Sequence, residues 1–220
     1  MNRLYVYALA DERVRTLALH GHTIEAVKIG GIYALAERAD RMPDLSEASL
    51  REQHAIVIEL ARRASAILPA RFGALVDRGE LEQIVGLRRD TLRDALTLVR
   101  GREQMTVRLI GDDGSPKTAG SAGAPYGAGT RYLAERRAAA GYPLPDAVAR
   151  LNAAMTDQIC AARAEPGNGR ERAVVYHLIE QSTSAAYRRR LARAAQDTAP
   201  FSLEASGPWP PFAFAPELVA

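Results

Sequence analysis

Four histidines, one cysteine and a glycine-rich stretch are the residues from which chemistry could be built in this 220-residue chain. His20-Gly21-His22 sets two imidazoles two positions apart, a spacing that a metal can use. A metal site takes three or four ligands, however, and the neighbouring carboxylates offer no partner spacing. The pair reads as part of a polar loop between strands. His54 falls on the apolar face of a helix, where a satisfied core histidine is the expected role. His177 sits in a strand, on the face opposite Tyr176 and Leu178, with no nucleophile to pair with. Cys160 lies among alanines late in a helix, and a lone cysteine makes neither an internal disulfide nor a cysteine-based zinc site. Ser182-Thr183-Ser184 reads as a helix start, because no G-x-S-x-G or S-x-x-K pattern surrounds it. The stretch 111–129, GDDGSPKTAGSAGAPYGAG, has neither the lysine placement of a P-loop nor the G-x-G-x-x-G order, so phosphate binding is not expected there. These residues yield no catalytic group, no metal ligand set and no cofactor site.

Two further features concern charge. Arg188, Arg189, Arg190 and Arg193 form a basic helix face. Its expected role is a solvated surface, with an acidic partner second and RNA third, since no aromatic stacking groups are interleaved. Arg71 stands in an otherwise apolar stretch entered from Pro69, and Glu103 opens a strand after Gly101. A charge in such a setting needs a partner. An Arg71–Glu103 ion pair holding two domains in register is the expectation.

The elements that must position these residues come from an ordinary globular composition, 47% hydrophobic and 25% charged. The net charge of +3 is spread over both halves of the chain, and only Lys28 and Lys117 are lysines. That balance lacks the concentrated basic face of a nucleic-acid module. No stretch approaches the ~20 apolar residues of a membrane span. A soluble, cytoplasmic protein with no membrane contact is expected, monomeric when free.

Period-two and buried runs predict strands over 3–9, over 24–28 and 32–37 around Gly30-Gly31, and over 70–76, 104–110, 173–179 and 201–205. Asp44 with Glu47 resembles a capping box, and Leu50, His54, Val57, Ala61, Ala64 and Leu68 then share one helical face that Pro69 ends. Further helices are predicted over 81–99, 131–140, 144–159 and 182–195, and 111–129 reads as a loop. The proline-rich 207–212 reads as an extended tail. The fold class is therefore α+β. It has two small domains, 1–99 and 100–207, each a mainly antiparallel sheet with helices on one face, followed by a Pro/Trp-rich tail over 208–220.

Three segments carry a likeness. Leu68-Pro69-Ala70-Arg71-Phe72-Gly73, Gly101-Arg102-Glu103-Gln104-Met105-Thr106-Val107 and Gly207-Pro208-Trp209-Pro210-Pro211-Phe212-Ala213-Phe214 together resemble the gas vesicle protein L/F family, GvpL/GvpF. The likeness runs over essentially the whole chain, with Phe212 standing where the family usually has tyrosine. It implies an accessory or minor structural protein of gas vesicle assembly, cytoplasmic and associated with the vesicle. Such a protein would bind the hydrophobic shell protein or other accessory proteins, with no enzymatic activity and no cofactor. It also implies that the second domain is ferredoxin-like and that the tail packs on the body. Trp209, Phe212 and Phe214 then either contact the shell protein from a groove between the domains or staple the tail to its own domain. Two other functions stay open: a small-molecule-binding or enzymatic ferredoxin-like protein with His54, His177 or the 111–129 loop at a pocket, and an Arg-rich RNA-binding module.

Overall fold

A computed structural model of the chain describes residues 3–111 and 144–217. The helix expected over 131–140 and the loop from 112 to 129 lie outside the described residues. The chain divides into two compact units, Met1–Gln104 with Trp209–Ala220, and Met105–Pro208.

In the first unit, strands β1 (Arg3–Ala10), β2 (Leu17–Leu19), β3 (His22–Ile29) and β4 (Ile32–Arg38) precede helix α1 (Glu47–Ala61). Strands β5 (Ile67–Pro69) and β6 (Leu75–Asp77) and helices α2 (Arg78–Leu87) and α3 (Arg89–Val99) follow. The sheet runs β2-β3-β4-β1-β5, with β6 also on β1, and its registered pairs are antiparallel. The β3–β4 turn falls on Gly30-Gly31, both at positive φ, as the hairpin reading requires. Every residue of β1 from Leu4 to Ala10 is buried. Ala34, Leu35 and Ala36 of β4 are buried in succession too. Successive side chains alternate faces, so both faces of this sheet are covered. Helix α1 covers the face carrying Tyr5, Tyr7, Ile24 and Leu35, while α2 lies against β3 and β6 and α3 against β5. The helices are therefore not confined to one face as expected.

Several local expectations change for identifiable reasons. Helix α1 is capped by Ser46, whose hydroxyl accepts from Ser49 N, rather than by Asp44. It ends at Ala61, and its buried positions are Gln53, Ile56, Val57 and Leu60, which share only Val57 with the expected row. The 81–99 helix is two helices that meet at Arg88. Most of the strand expected over 70–76 is instead the turn between two three-residue strands, β5 and β6, that lie on one side of β1. Val6 N donates to Ala74 O and Ala70 N to Tyr7 O, which keeps that turn fastened to β1 between the short strands.

In the second unit, β7 (Arg102–Ile110, its first three residues grouped with the first unit) is followed by α4 (Asp146–Ala154), β8 (Ala161–Pro166), β9 (Glu171–Glu180), α5 (Ser184–Ala194) and β10 (Ser202–Trp209). Strand order is β10-β7-β9-β8. Met105, Val107 and Leu109 of β7 pack with Val148 and Leu151 of α4, Val175 and Ile179 of β9, and Tyr187 and Leu191 of α5. The helix expected over 144–159 ends at Ala154 and is followed by a short 3-10 turn, Thr156–Gln158. Strand β8, which the sequence pattern does not predict, begins at Ala161, leaving Cys160 just before a strand. Strand β10 continues through Gly207-Pro208-Trp209, where an extended tail was expected. An edge strand can hold a proline because its outward side needs no N–H donor.

Gly111, expected to open a flexible loop, instead has the Phe201 ring against it: a Cβ there would lie 2.6 Å from Phe201 Cδ1. Gly111→Ala should therefore destabilise the second unit by ~1–3 kcal/mol, the usual cost of overpacking. Adding Phe201→Ala should make the two changes clearly less than additive in urea unfolding.

Candidate functional site

The first unit holds the 68–73 segment, the 101–107 segment as far as Gln104 and the closing segment from Trp209 on, and the packing there gives these residues their roles. Tyr5 and Tyr7 project from buried β1 toward α1 and meet edge to face at 5.1 Å. Burial obliges each hydroxyl to find partners. Tyr5 Oη donates to Gln53 Oε1 at 2.5 Å and accepts from Gly73 N at 3.1 Å. Gln53 Nε2 donates to Ala70 O at 3.3 Å. The 68–73 segment is thus a turn held by one buried tyrosine and one buried glutamine. Gly73 has φ +90, a conformation that favours glycine, while the nearest atom to a Cβ there would be the movable Met42 Sδ at 2.9 Å.

The Gly207–Phe214 segment closes over the same helix. His54 stacks on the Phe212 ring at 5.5 Å with planes 19° apart and meets Trp209 at 5.4 Å, tilted 58°. Phe214 is buried and Phe212 packs against the core. Ala213 N donates to Gln104 Oε1 at 2.8 Å, joining this segment to the 101–107 strand start. His54 is therefore an aromatic platform rather than an enclosed core residue.

Arg71 does not pair with Glu103. Its guanidinium meets the Glu217 carboxylate, and Arg88 donates to Glu217 O. The Arg71 side chain is 71% exposed, because it sits in the turn after β5 and not within a strand. Glu103 makes other interactions. On the second unit, Arg188 Nη2 donates to Gly207 O at 2.5 Å and Arg190 Nε to Ala154 O at 2.9 Å. Arg189 and Arg193 lie exposed on α5.

Beside α1 is a cluster that sequence reasoning missed. His22 Nδ1 lies 2.9 Å from Glu37 Oε1, and His22 Nε2 lies 3.4 Å from Glu52 Oε1. Tyr7 Oη donates to Glu37 Oε1 at 2.6 Å. These partners are 15 and 30 residues apart in sequence, so only the β3–β4 pairing and the seating of α1 bring them together. Burial alone would lower the His22 pKa. The hydrogen bond and charge of Glu37, with those of Glu52, outweigh it and raise the pKa above 6.5. Burial and Glu37 together push Tyr7 well above its ordinary value, so it remains a donor. The cluster is a charged strut between sheet and helix.

His177 is its opposite in the second unit. It is completely buried between Tyr187 Oη, 2.7 Å from Nδ1, and Asn152 Oδ1, 2.9 Å from Nε2. Asn152 Oδ1 can only accept, so Nε2 carries the proton and Tyr187 donates to Nδ1. Burial lowers its pKa to about 4. It is a satisfied neutral core histidine.

The first unit also has an open concavity of about 590 Å³, lined by residues that include Leu4, Glu25, Val27, Arg38 and Arg78. Neither His54 nor His177 lines it. Among the described residues, no group of three or more His, Cys, Asp or Glu side chains is arranged to hold a metal ion, and no helix is long and apolar enough to cross a membrane.

Apolar surface gathers instead at the start of α1. Met42 is 50%, Leu45 76% and Leu50 44% exposed. Leu45 and Leu50 occupy the N′ and N4 positions about the Ser46 cap, the spacing of a hydrophobic staple, yet both remain open to water. His54 follows Leu50 by one helical turn.

The comparisons with known proteins agree on a family. The model of the family described as "Gas vesicle synthesis protein GvpL/GvpF" matches residues 3–216. The crystal structure of gas vesicle protein GvpF from Microcystis aeruginosa aligns with a TM-score of 0.71 at 14% identity, covering 98% of this chain and 100% of that one. GvpF from Anabaena sp. PCC7120 aligns with a TM-score of 0.70 at 13% identity, covering 98% and 99%. No curated protein sequence matches.

Two outcomes follow from the site chemistry. Arg71→Met should shift stability by less than ~1 kcal/mol in thermal unfolding, as for other exposed ion pairs. The two histidines should give opposite pH dependences. His177 is neutral when folded but protonates near pH 6.5 when unfolded, so its contribution is present above that pH. It is lost as pH falls toward 4, by ~3 kcal/mol in all. The His22 contribution is fully present below pH 6.5 and fades as pH rises through its elevated folded value. NMR titration of the imidazole resonances, set against urea midpoints from about pH 4 up through and beyond pH 6.5, checks both signs.

Proposed function

The chain belongs to the gas vesicle synthesis protein GvpL/GvpF family, and from that premise we propose that it is an accessory or minor structural protein of gas vesicle assembly that works by binding the hydrophobic shell protein. The observation that carries the reading is the family match over residues 3–216. A subunit apolar enough to face a gas space exposes surface that water disfavours, and a partner that covers this surface until incorporation lowers that cost. Such a partner needs apolar surface of its own and no reaction centre. This reading implies a cytoplasmic protein associated with the vesicle, acting without a cofactor, and a ferredoxin-like second unit. The β10-β7-β9-β8 strand order, with α4 before β8 and α5 between β9 and β10, supports that last assignment.

Within this reading, Trp209, Phe212 and Phe214 anchor the closing segment to α1, and the partner is met by Met42, Leu45 and Leu50. The division is supported by exposure: Phe214 is buried, whereas the three aliphatic side chains stand in solvent. Aliphatic side chains exposed on a firmly packed helix end can be covered without first being uncovered elsewhere.

Capture of purified shell protein by the immobilised full chain tests this. The double variant Leu45→Glu/Leu50→Glu should lose at least ~tenfold in capture with an unchanged unfolding midpoint, since two desolvated charges would oppose an apolar contact. Trp209→Ala should instead cost ~2 kcal/mol of stability and retain capture under conditions where it is folded. Undiminished capture by the double variant would overturn the surface assignment, and no capture by the unaltered protein would overturn the function.

A further inference from the structure

Strand β8 ends its sheet: in the order β10-β7-β9-β8 its one strand neighbour among the described residues is β9. The register pairs Ala161 with Leu178, Arg163 with Tyr176 and Glu165 with Val174. It continues to Gly167, whose N–H donates to Arg172 O. Gly167 therefore sits at a hydrogen-bonded position, and so do Glu165, Arg163 and Ala161 at the antiparallel period of two. Ala162, Ala164 and Pro166 consequently turn their backbone groups away from β9. Side chains alternate in the same rhythm. Ala164 packs toward the core, while Arg163 and Glu165 are exposed on the other face, where Tyr176 Oη donates to Glu165 Oε2 at 3.3 Å.

Among the described residues no strand lies on this side of β8, and an edge with outward donors and acceptors is a template for another strand. The charges on this one select a register. If a second copy pairs antiparallel about a two-fold axis at Ala164, Ala164 meets its own counterpart at a hydrogen-bonded position. Arg163 then lies opposite Glu165 of the partner subunit, and the symmetry makes this pair twice. Sliding the axis one position toward the N-terminus sets Arg163 against Arg163 of the partner subunit. One position the other way sets Glu165 against Glu165 of the partner subunit. Opposite charges directly across an antiparallel pair are favourable and like charges are not. Pro166 fits the central register as well: it lacks a donor, but its carbonyl can accept from Ala162 of the partner subunit.

We propose that β8 is a self-association edge, through which two copies of this chain join their second-unit sheets into one, about a two-fold axis at Ala164. This departs from the monomer expected from the sequence and does not rest on the assembly role proposed above. A pairing of one short strand per copy buries less than the ~1,000 Å² of stable complexes, so the dimer forms at roughly 10–500 µM rather than nanomolar protein.

Sedimentation equilibrium of the full chain across that range tests it. The unaltered protein should show a monomer–dimer equilibrium. Arg163→Glu and Glu165→Arg singly should each weaken it at least ~tenfold by creating like-charge pairs, and the exchange R163E/E165R should restore it to within about threefold. Ala164→Pro removes an outward N–H without touching the β9 ladder, so it should abolish the dimer while circular dichroism and the unfolding midpoint hold. The proposal is overturned if the unaltered protein stays monomeric throughout, if single reversals dimerise as well as the parent, or if the exchange fails to recover association.

Discussion

A strand buried on both faces can keep a polar atom only if that atom is given partners, and β1 carries two. The hydroxyls of Tyr5 and Tyr7 lie beneath α1, where leaving either unpaired would cost on the order of 1–3 kcal/mol. Tyr5 is answered by Gln53 of α1 and by the backbone of Gly73, and Tyr7 by Glu37 of β4. Those bonds settle where α1 sits, how the chain turns between β5 and β6, and which way Glu37 points. Glu37 then holds His22, and Glu52 meets His22 from the helix. A demand set by two phenols thus propagates into the placement of one helix, one turn and one ion cluster.

The same helix receives the Gly207–Phe214 segment. Its rings lie on His54, and Gln104 accepts a hydrogen bond from Ala213. The parts of the three segments that lie in the first unit are therefore neighbours around α1, and their unusual residues have structural work: a glycine at positive φ, a glutamine serving a backbone amide, aromatics lying on an imidazole. Features of this kind specify a scaffold. What distinguishes a binding surface must be sought where side chains are left in water, as at Leu45 and Leu50.

Much of the framework was legible because it is locally encoded. The Gly30-Gly31 hairpin, the buried run of β1, the alternating residues of β10 and the Ala173–Ile179 portion of β9 all follow from short-range pattern. What failed was decided at long range. Gln53 serves the Tyr5 hydroxyl, so a polar residue occupies a core position, and of the expected row through Leu50 only Val57 is buried within α1. The β8 segment Ala-Ala-Arg-Ala-Glu-Pro favours helix by composition and becomes a strand by pairing with β9. Arg88 parts α2 from α3 with no proline to announce it, and the nearby Gly86 lies inside α2 rather than at the break. Arg71 pairs with Glu217 from the far end of the chain, and the His22 cluster draws on β1, β3, β4 and α1. The spacing of charges could not show either.

The first unit is discontinuous, assembled from residues before 105 and residues after 208. A chain emerging from the ribosome therefore makes the whole second unit before the rings that cover His54 exist. The first unit can therefore complete its packing only once translation has passed residue 214, when Phe214 becomes available to be buried and the rings of Trp209 and Phe212 to lie on His54.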